Sequence, residues 1–143
     1  MEQTVPRFRI LVADDVRDVR DMLRFTLSFF YDVILARNGE EAWELVNAER
    51  PDAVLTDMVM PRIHGDRLLW LIRNCSPHPD TPVIILTGAT RDRELADQFW
   101  REAVGADGFV TKPFSPIQVR SLLGKILQGR HPRPHGFRID AGT

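Results

Sequence analysis

Asp52-Ala53-Val54-Leu55-Thr56-Asp57 is an apolar run of strand length with a carboxylate at its far end. Its hydrophobic residues are consecutive instead of alternating, which is how a strand reads when both of its faces are buried in a parallel sheet. Four other runs share that character: Phe8–Ala13, Tyr31–Ala36, Pro82–Leu86 and Gly108–Thr111. Amphipathic segments of helical period lie between and after them. Val16, Val19, Leu23, Leu27 and Phe30 mark one face of a first helix, and Ala42, Leu45 and Val46 a second. Leu68, Leu69 and Ile72 mark a third, Leu95, Phe99 and Ala103 a fourth, and Val119, Leu122, Leu123 and Ile126 a fifth. The fifth carries the best boundary signals, with Ser115 as N-cap, Pro116 at the first helical position, Gln118 for a capping box and Gly129 past the end. Strand and helix thus alternate five times. That predicts an α/β fold, a doubly wound five-stranded parallel sheet with its five helices on both faces.

The 143 residues suffice for one domain with a real core. Hydrophobic residues make up 43% and charged ones 27%, ordinary values for a soluble globular protein. A formal net charge of −1 argues against a general grip on nucleic acid. No segment approaches the ~18 apolar residues of a membrane span, and Met1–Arg9 lacks an apolar run of signal-peptide length. Cys75 is the only cysteine, so an intramolecular disulfide is impossible, and a lone buried or half-buried thiol suits a reducing cytoplasm. From Gly129 apolar periodicity stops. The expected organisation is a folded domain over 1–128 and a flexible tail or linker stump over 129–143.

In open α/β sheets, ligands bind outside the carboxyl ends of the strands, where the strand order reverses. The first run ends in Asp14-Asp15, the third in Asp57, the fourth in Thr87 and the fifth in Lys112. The second ends in Arg37-Asn38-Gly39, which reads as a plain turn and suits an edge strand in the order 2-1-3-4-5. Three carboxylates against one ammonium is an unbalanced set. Two like charges ~4 Å apart repel by roughly 4 kcal/mol at an effective dielectric of ~20. A divalent cation relieves this, and oxygen ligands with no His or Cys among them suit Mg2+. Such a cation beside a lysine, a threonine hydroxyl and a nucleophilic carboxylate is the equipment of phosphoryl transfer.

At this point a resemblance becomes specific. Asp57-Met58-Val59-Met60-Pro61, then Gly65, Leu68 and Ile72-Arg73, resembles the loop after the third strand of bacterial two-component response-regulator receiver domains of the chemotaxis-regulator kind. Asp14-Asp15, Thr87-Gly88, and Gly105-Ala106 leading to Phe109 and Lys112-Pro113-Phe114 are similar to the same family. The resemblance covers about residues 8–128 and implies the flavodoxin-like fold in the order given above. It implies that Asp57 is the phosphoacceptor, fed by a sensor histidine kinase or a histidine phosphotransfer protein. Asp14, Asp15, Asp57 and the main-chain carbonyl of Val59 are the implied Mg2+ ligands, and Lys112 pairs with the phosphoryl group. Thr87 and Phe109 are the implied switch pair, reporting to the surface formed by the fourth helix, fifth strand and fifth helix. The family is regulatory and catalyses only its own phosphorylation and dephosphorylation. A cis Lys112–Pro113 bond belongs to the same resemblance.

Two features depart from the pattern. The stretch from Thr87 to Gly105 is a few residues longer than in chemotaxis-type members, and position 59 is Val, with no polar side chain to guide a hydrolytic water. On helical geometry Phe25 falls nearly opposite the core face of the first helix, close to Met22 and Phe29, and Trp70 nearly opposite that of the third. Met22, Phe25 and Phe29 are therefore candidates for docking the phosphodonor. The downstream partner is a protein the sequence does not specify, with neither direct nucleic-acid contact nor a membrane anticipated, and a cytoplasmic location. Alternatives are a receiver cut from a longer regulator or hybrid kinase, an Asp-nucleophile phosphatase, and a flavin-mononucleotide binder. The phosphatase would need a general acid where Val59 stands, and Asp14-Asp15 would repel a flavin phosphate. His131 and His135 form at most a tail metal site.

Overall fold

The structure, a computed structural model, describes residues 6–88 and 105–134. In chain order the elements are β1 (Arg9–Ala13), α1 (Arg17–Leu27), β2 (Asp32–Ala36), α2 (Gly39–Glu49), β3 (Ala53–Asp57), α3 (Gly65–Cys75), β4 (Val83–Thr87), β5 (Gly108–Thr111) and α4 (Pro116–Leu127). The helix anticipated around Leu95, Phe99 and Ala103, with Trp100, lies outside the described residues. The sheet has the order β2-β1-β3-β4-β5, with every neighbouring pair parallel.

The central strands explain why the runs read as unbroken. β1 and β3 are buried at every position, whereas edge strand β2 begins exposed at Asp32. Successive side chains of a strand point to opposite faces, so each central strand feeds two cores. Leu11, Ala13, Val54, Val83 and Ile85 meet Ala42 and Val46 of α2 and Leu68, Leu69 and Ile72 of α3. Ile10, Val12, Leu55, Ile84 and Leu86 meet Leu23 and Leu27 of α1 and Val119, Leu123 and Leu127 of α4. Each such fully buried Leu or Ile is worth about 1.5–3 kcal/mol. At α4 the Ser115 hydroxyl accepts the Ile117 N–H at 3.3 Å, with Pro116 opening the helix.

The termini of elements differ in part from the sequence reading. Val16 precedes α1 and Phe30 follows it, and they are 48% and 52% exposed, so the core stripe of that helix is shorter than its apolar spacing suggests. Cys75, read as buried or half-buried, is exposed at the last residue of α3. In the stretch read as a tail, residues 129–134 run back beneath the sheet. The Arg133 N–H donates to Asp52 Oδ1 at 2.8 Å, and its guanidinium to the Pro51 carbonyl at 2.6 Å and the Thr81 hydroxyl at 3.0 Å. Among the described residues no helix is long and apolar enough to cross a membrane.

Candidate functional site

The topology decides where the site lies. From β1 the chain moves outward to β2, then returns past β1 to begin β3 on the other side. The order reverses between β1 and β3, and a crevice opens above their carboxyl ends. Asp14 and Asp15 directly follow β1, and Asp57 ends β3. Carboxylate oxygens of Asp14, Asp15 and Asp57 lie within 4.8 Å of one another.

Asp14 is fully buried and thoroughly tied. Its N–H continues the ladder to the Ala36 carbonyl at 3.2 Å, its Oδ1 accepts the Val16 N–H at 2.9 Å, and its carbonyl accepts Arg20 Nη1 at 2.8 Å. Asp15, beside it, is exposed. The Asp57 side chain is 11% exposed, and its main chain is fixed by the Thr56 hydroxyl, which donates to the Asp57 carbonyl at 3.0 Å. Gly65 closes over the same peptide. Its N–H donates to the Met58 carbonyl at 2.8 Å, and a Cβ there would stand 3.0 Å from Met58 Cα and nearer still to the Asp57 carbonyl.

Lys112 reaches in from β5. Its N–H donates to the Thr87 carbonyl at 2.7 Å, and its Nζ lies 2.8 Å from Asp14 Oδ2 and 3.3 Å from Asp57 Oδ2. The Lys112–Pro113 bond is cis. Burial works to lower the Lys112 pKa, but the hydrogen bond to Asp14 and the charges of Asp57 and Asp14 outweigh it and raise the pKa. Asp57 moves the other way for an acid. Burial first, then the Asp14 charge and to a lesser degree Asp15, push it up to about 6 against the pull of Lys112.

Lys112 alone therefore leaves negative charge uncompensated at a buried carboxylate. Three convergent carboxylates, hard oxygen donors without a His or Cys, fit a small divalent cation of the Mg2+ kind. Val59, in the loop just past Asp57, is 61% exposed.

The other sequence candidates divide. Thr87 is half-buried at the end of β4, level with Thr111 of β5. Phe109 is level with Ile85 and partly buried against the core on the α2–α3 side. Phe25 and Phe29 are 73% and 69% exposed and pack edge to face at 5.6 Å. Met22 does not join them, because it turns onto the core beneath α1. Trp70 is 48% exposed, with the Arg67 guanidinium 4.5 Å from its ring centre. Arg20 and Thr56 were not among the sequence candidates, and the Arg37-Asn38-Gly39 stretch was read as a plain turn. Of these only the turn left a trace, in Asn38 as a helix N-cap type and Gly39 as a glycine at a helix start.

The model of the response regulator receiver domain family matches residues 10–124. The chain is 38% identical over 125 residues to response regulator MprA of Mycolicibacterium vanbaalenii, covering 87% of this chain and 52% of that one. It is 36% identical over 121 residues to a probable transcriptional regulator, ycf27, of Guillardia theta, covering 84% of this chain and 45% of that one. The chain thus spans about half the length of these curated relatives. Among solved structures, the chemotaxis response regulator CheY4 of Vibrio cholerae superimposes with a TM-score of 0.74 at 30% identity, covering 85% of this chain and 99% of that one.

Proposed function

We propose a function from one premise: this chain belongs to the response regulator receiver domain family. The protein accepts a phosphoryl group on Asp57 from a phosphohistidine of a sensor kinase or phosphotransfer protein, in a Mg2+-dependent reaction. The observation that carries this is the buried Asp57 carboxylate clustered with those of Asp14 and Asp15, with the Lys112 ammonium bridging Asp14 and Asp57 at 2.8 and 3.3 Å.

Asp57 is the nucleophile. One carboxylate oxygen bonds to phosphorus as the phosphorus–nitrogen bond of the donor breaks, and the leaving imidazole keeps the bonding pair and takes up a proton. A pKa of about 6 leaves Asp57 mostly ionised at neutral pH, as the attack requires. Lys112 is already at hydrogen-bond range of the nucleophile and offers its charge to the phosphoryl oxygens. Asp14, held by the Val16 N–H, keeps Lys112 aimed. Asp14, Asp15, Asp57 and the Val59 carbonyl would hold the cation, which supplies Lewis-acid neutralisation of phosphoryl charge. Val59, where an Asp-nucleophile phosphatase usually places its second acid, offers no proton.

The acyl phosphate brings about two negative charges to the strand ends. The Thr87 hydroxyl is the neutral donor for it, and Phe109 on the neighbouring strand turns inward as Thr87 moves. The product is a shifted conformational equilibrium read by a partner protein. The test is intact-mass spectrometry after incubation with a small phosphodonor. One phosphoryl group should be added with Mg2+ and none with a chelator, and an Asp57→Asn protein that labels as well as wild type would refute the assignment.

A further inference from the structure

The turn after β2 is not plain. Asn38 caps α2, its Oδ1 accepting the Glu41 N–H at 2.8 Å. Gly39 then faces the loop that follows Asp57. Its N–H points at the Pro61 carbonyl at 3.4 Å, and a Cβ built on it would lie 2.6 Å from the Ile63 carbonyl carbon and closer still to the oxygen. Backbone meets backbone there, and only glycine leaves the room. One residue on, Glu40 pairs with Arg62 Nη1 at 2.8 Å. Arg62 itself holds φ at 75°, a left-handed conformation that a non-glycine residue keeps only where its surroundings impose it. From below, Met58 and Met60 are each 2% exposed in the α2–α3 core, and Gly65 clamps the start of the loop over Asp57. The loop 58–64 is thus held at both ends and from underneath. The far grip is supplied by an element that carries no group of the site.

We infer that the Asn38-Gly39-Glu40 turn is a positioning element for the phosphoacceptor site. It keeps the 58–64 loop in the conformation that presents Asp57 and the main chain of Val59 to the cation. The inference rests on the phosphoacceptor reading above and adds residues from β2–α2 to it. A loop ordered in advance binds its ligand without having to be ordered by it. Loosening the turn therefore weakens cation binding in addition to whatever it costs the fold.

The test uses the whole chain with three substitutions. Gly39→Ala places a Cβ into the Ile63 peptide, and Arg62→Gly removes the Glu40 pair while relaxing the left-handed residue, so that variant keeps its fold. Gly124→Ala is the control, since a Cβ there meets nothing within 4 Å. Hydrogen exchange of amides 58–65 in the metal-free proteins and Mg2+ affinity by calorimetry are read together. Gly39→Ala should exchange faster across this loop and raise the Mg2+ dissociation constant roughly tenfold, about 1.4 kcal/mol. Arg62→Gly should do the same to a smaller extent, and Gly124→Ala should match wild type. Variants that lose thermal stability yet bind Mg2+ like wild type would show that the turn is only packing. Wild-type protein that binds no Mg2+ would overturn the phosphoacceptor reading itself, and this inference with it.

Discussion

Replacing Asp57 by Asn should make the metal-free protein more stable at neutral pH. The Asp57 carboxyl is pushed from 3.8 to about 6 by burial and by Asp14. For an acid raised on folding, the native state holds the proton more firmly than the unfolded chain. Its contribution to stability is complete below pH ~4 and is lost as pH rises through ~6. Two pKa units at 1.36 kcal/mol each set an upper bound of about 3 kcal/mol. The pull of Lys112 is already contained in that value, but solvent reaches 11% of the side chain and screens the charge, so about 1–2 kcal/mol is the working figure. Asparagine has nearly the same shape and no charge, and Lys112 keeps its 2.8 Å partner in Asp14. Urea denaturation with a chelator should place Asp57→Asn above wild type by that amount at pH 7.5, with the gap closing towards pH 4. Mg2+ at a hundred times its dissociation constant should then stabilise wild type by about 2.7 kcal/mol and the variant far less. A variant less stable than wild type at pH 7.5 without metal, or a gap that ignores pH, would refute the reasoning.

Lys112→Met should tighten Mg2+ binding roughly fivefold or more, because a cation that competes for Asp14 and Asp57 is gone, while phosphoryl acceptance falls; unchanged calorimetric affinity would contradict it. Arg73 donates to the Pro79, Thr81 and Gly105 carbonyls and to Asp107 at 2.6–3.0 Å, tying α3 to the starts of β4 and β5. Arg73→Ala should therefore cost about 2–3 kcal/mol in denaturant melts, with Arg73→Lys recovering only part. Phe25→Ala should slow phosphotransfer from the cognate kinase while changing stability by no more than about 0.5 kcal/mol, and equal transfer rates would reduce the Phe25–Phe29 pair to surface packing.

The sheet was legible because β1, β3 and β4 are buried on both faces, which forces unbroken apolar runs that little else in a soluble chain produces. Asp14, Asp15, Asp57 and Lys112 were legible because charges at the ends of such runs conflict with burial unless they meet. Other parts leave weaker marks. The grip of Gly39 on Ile63 is written only as a missing side chain. Arg73 belongs to the stretch that carries the resemblance, but it bonds mainly to carbonyls, which every residue has, so the pattern does not tell what it ties together. Arg133 sits in a stretch rich in Pro, Gly and Arg that reads as unstructured, yet it finds Asp52 and Pro51 at the starts of β3 and its approach. Met22 and Phe25 were grouped as neighbours on α1, but at ~100° per residue Met22 lies at the margin of the face centred on Leu23, where its side chain reaches the core, and Phe25 lies nearly opposite it.

The most direct test of the central claim is to locate the modification. The protein is incubated with a small phosphodonor and Mg2+, the acyl phosphate is reduced with borohydride to the corresponding alcohol, and the digest is sequenced by tandem mass spectrometry. Conversion at Asp57 and at no other carboxylate is the expected result. Conversion at Asp14 or Asp15 with Asp57 intact, or no conversion at any aspartate, would contradict it.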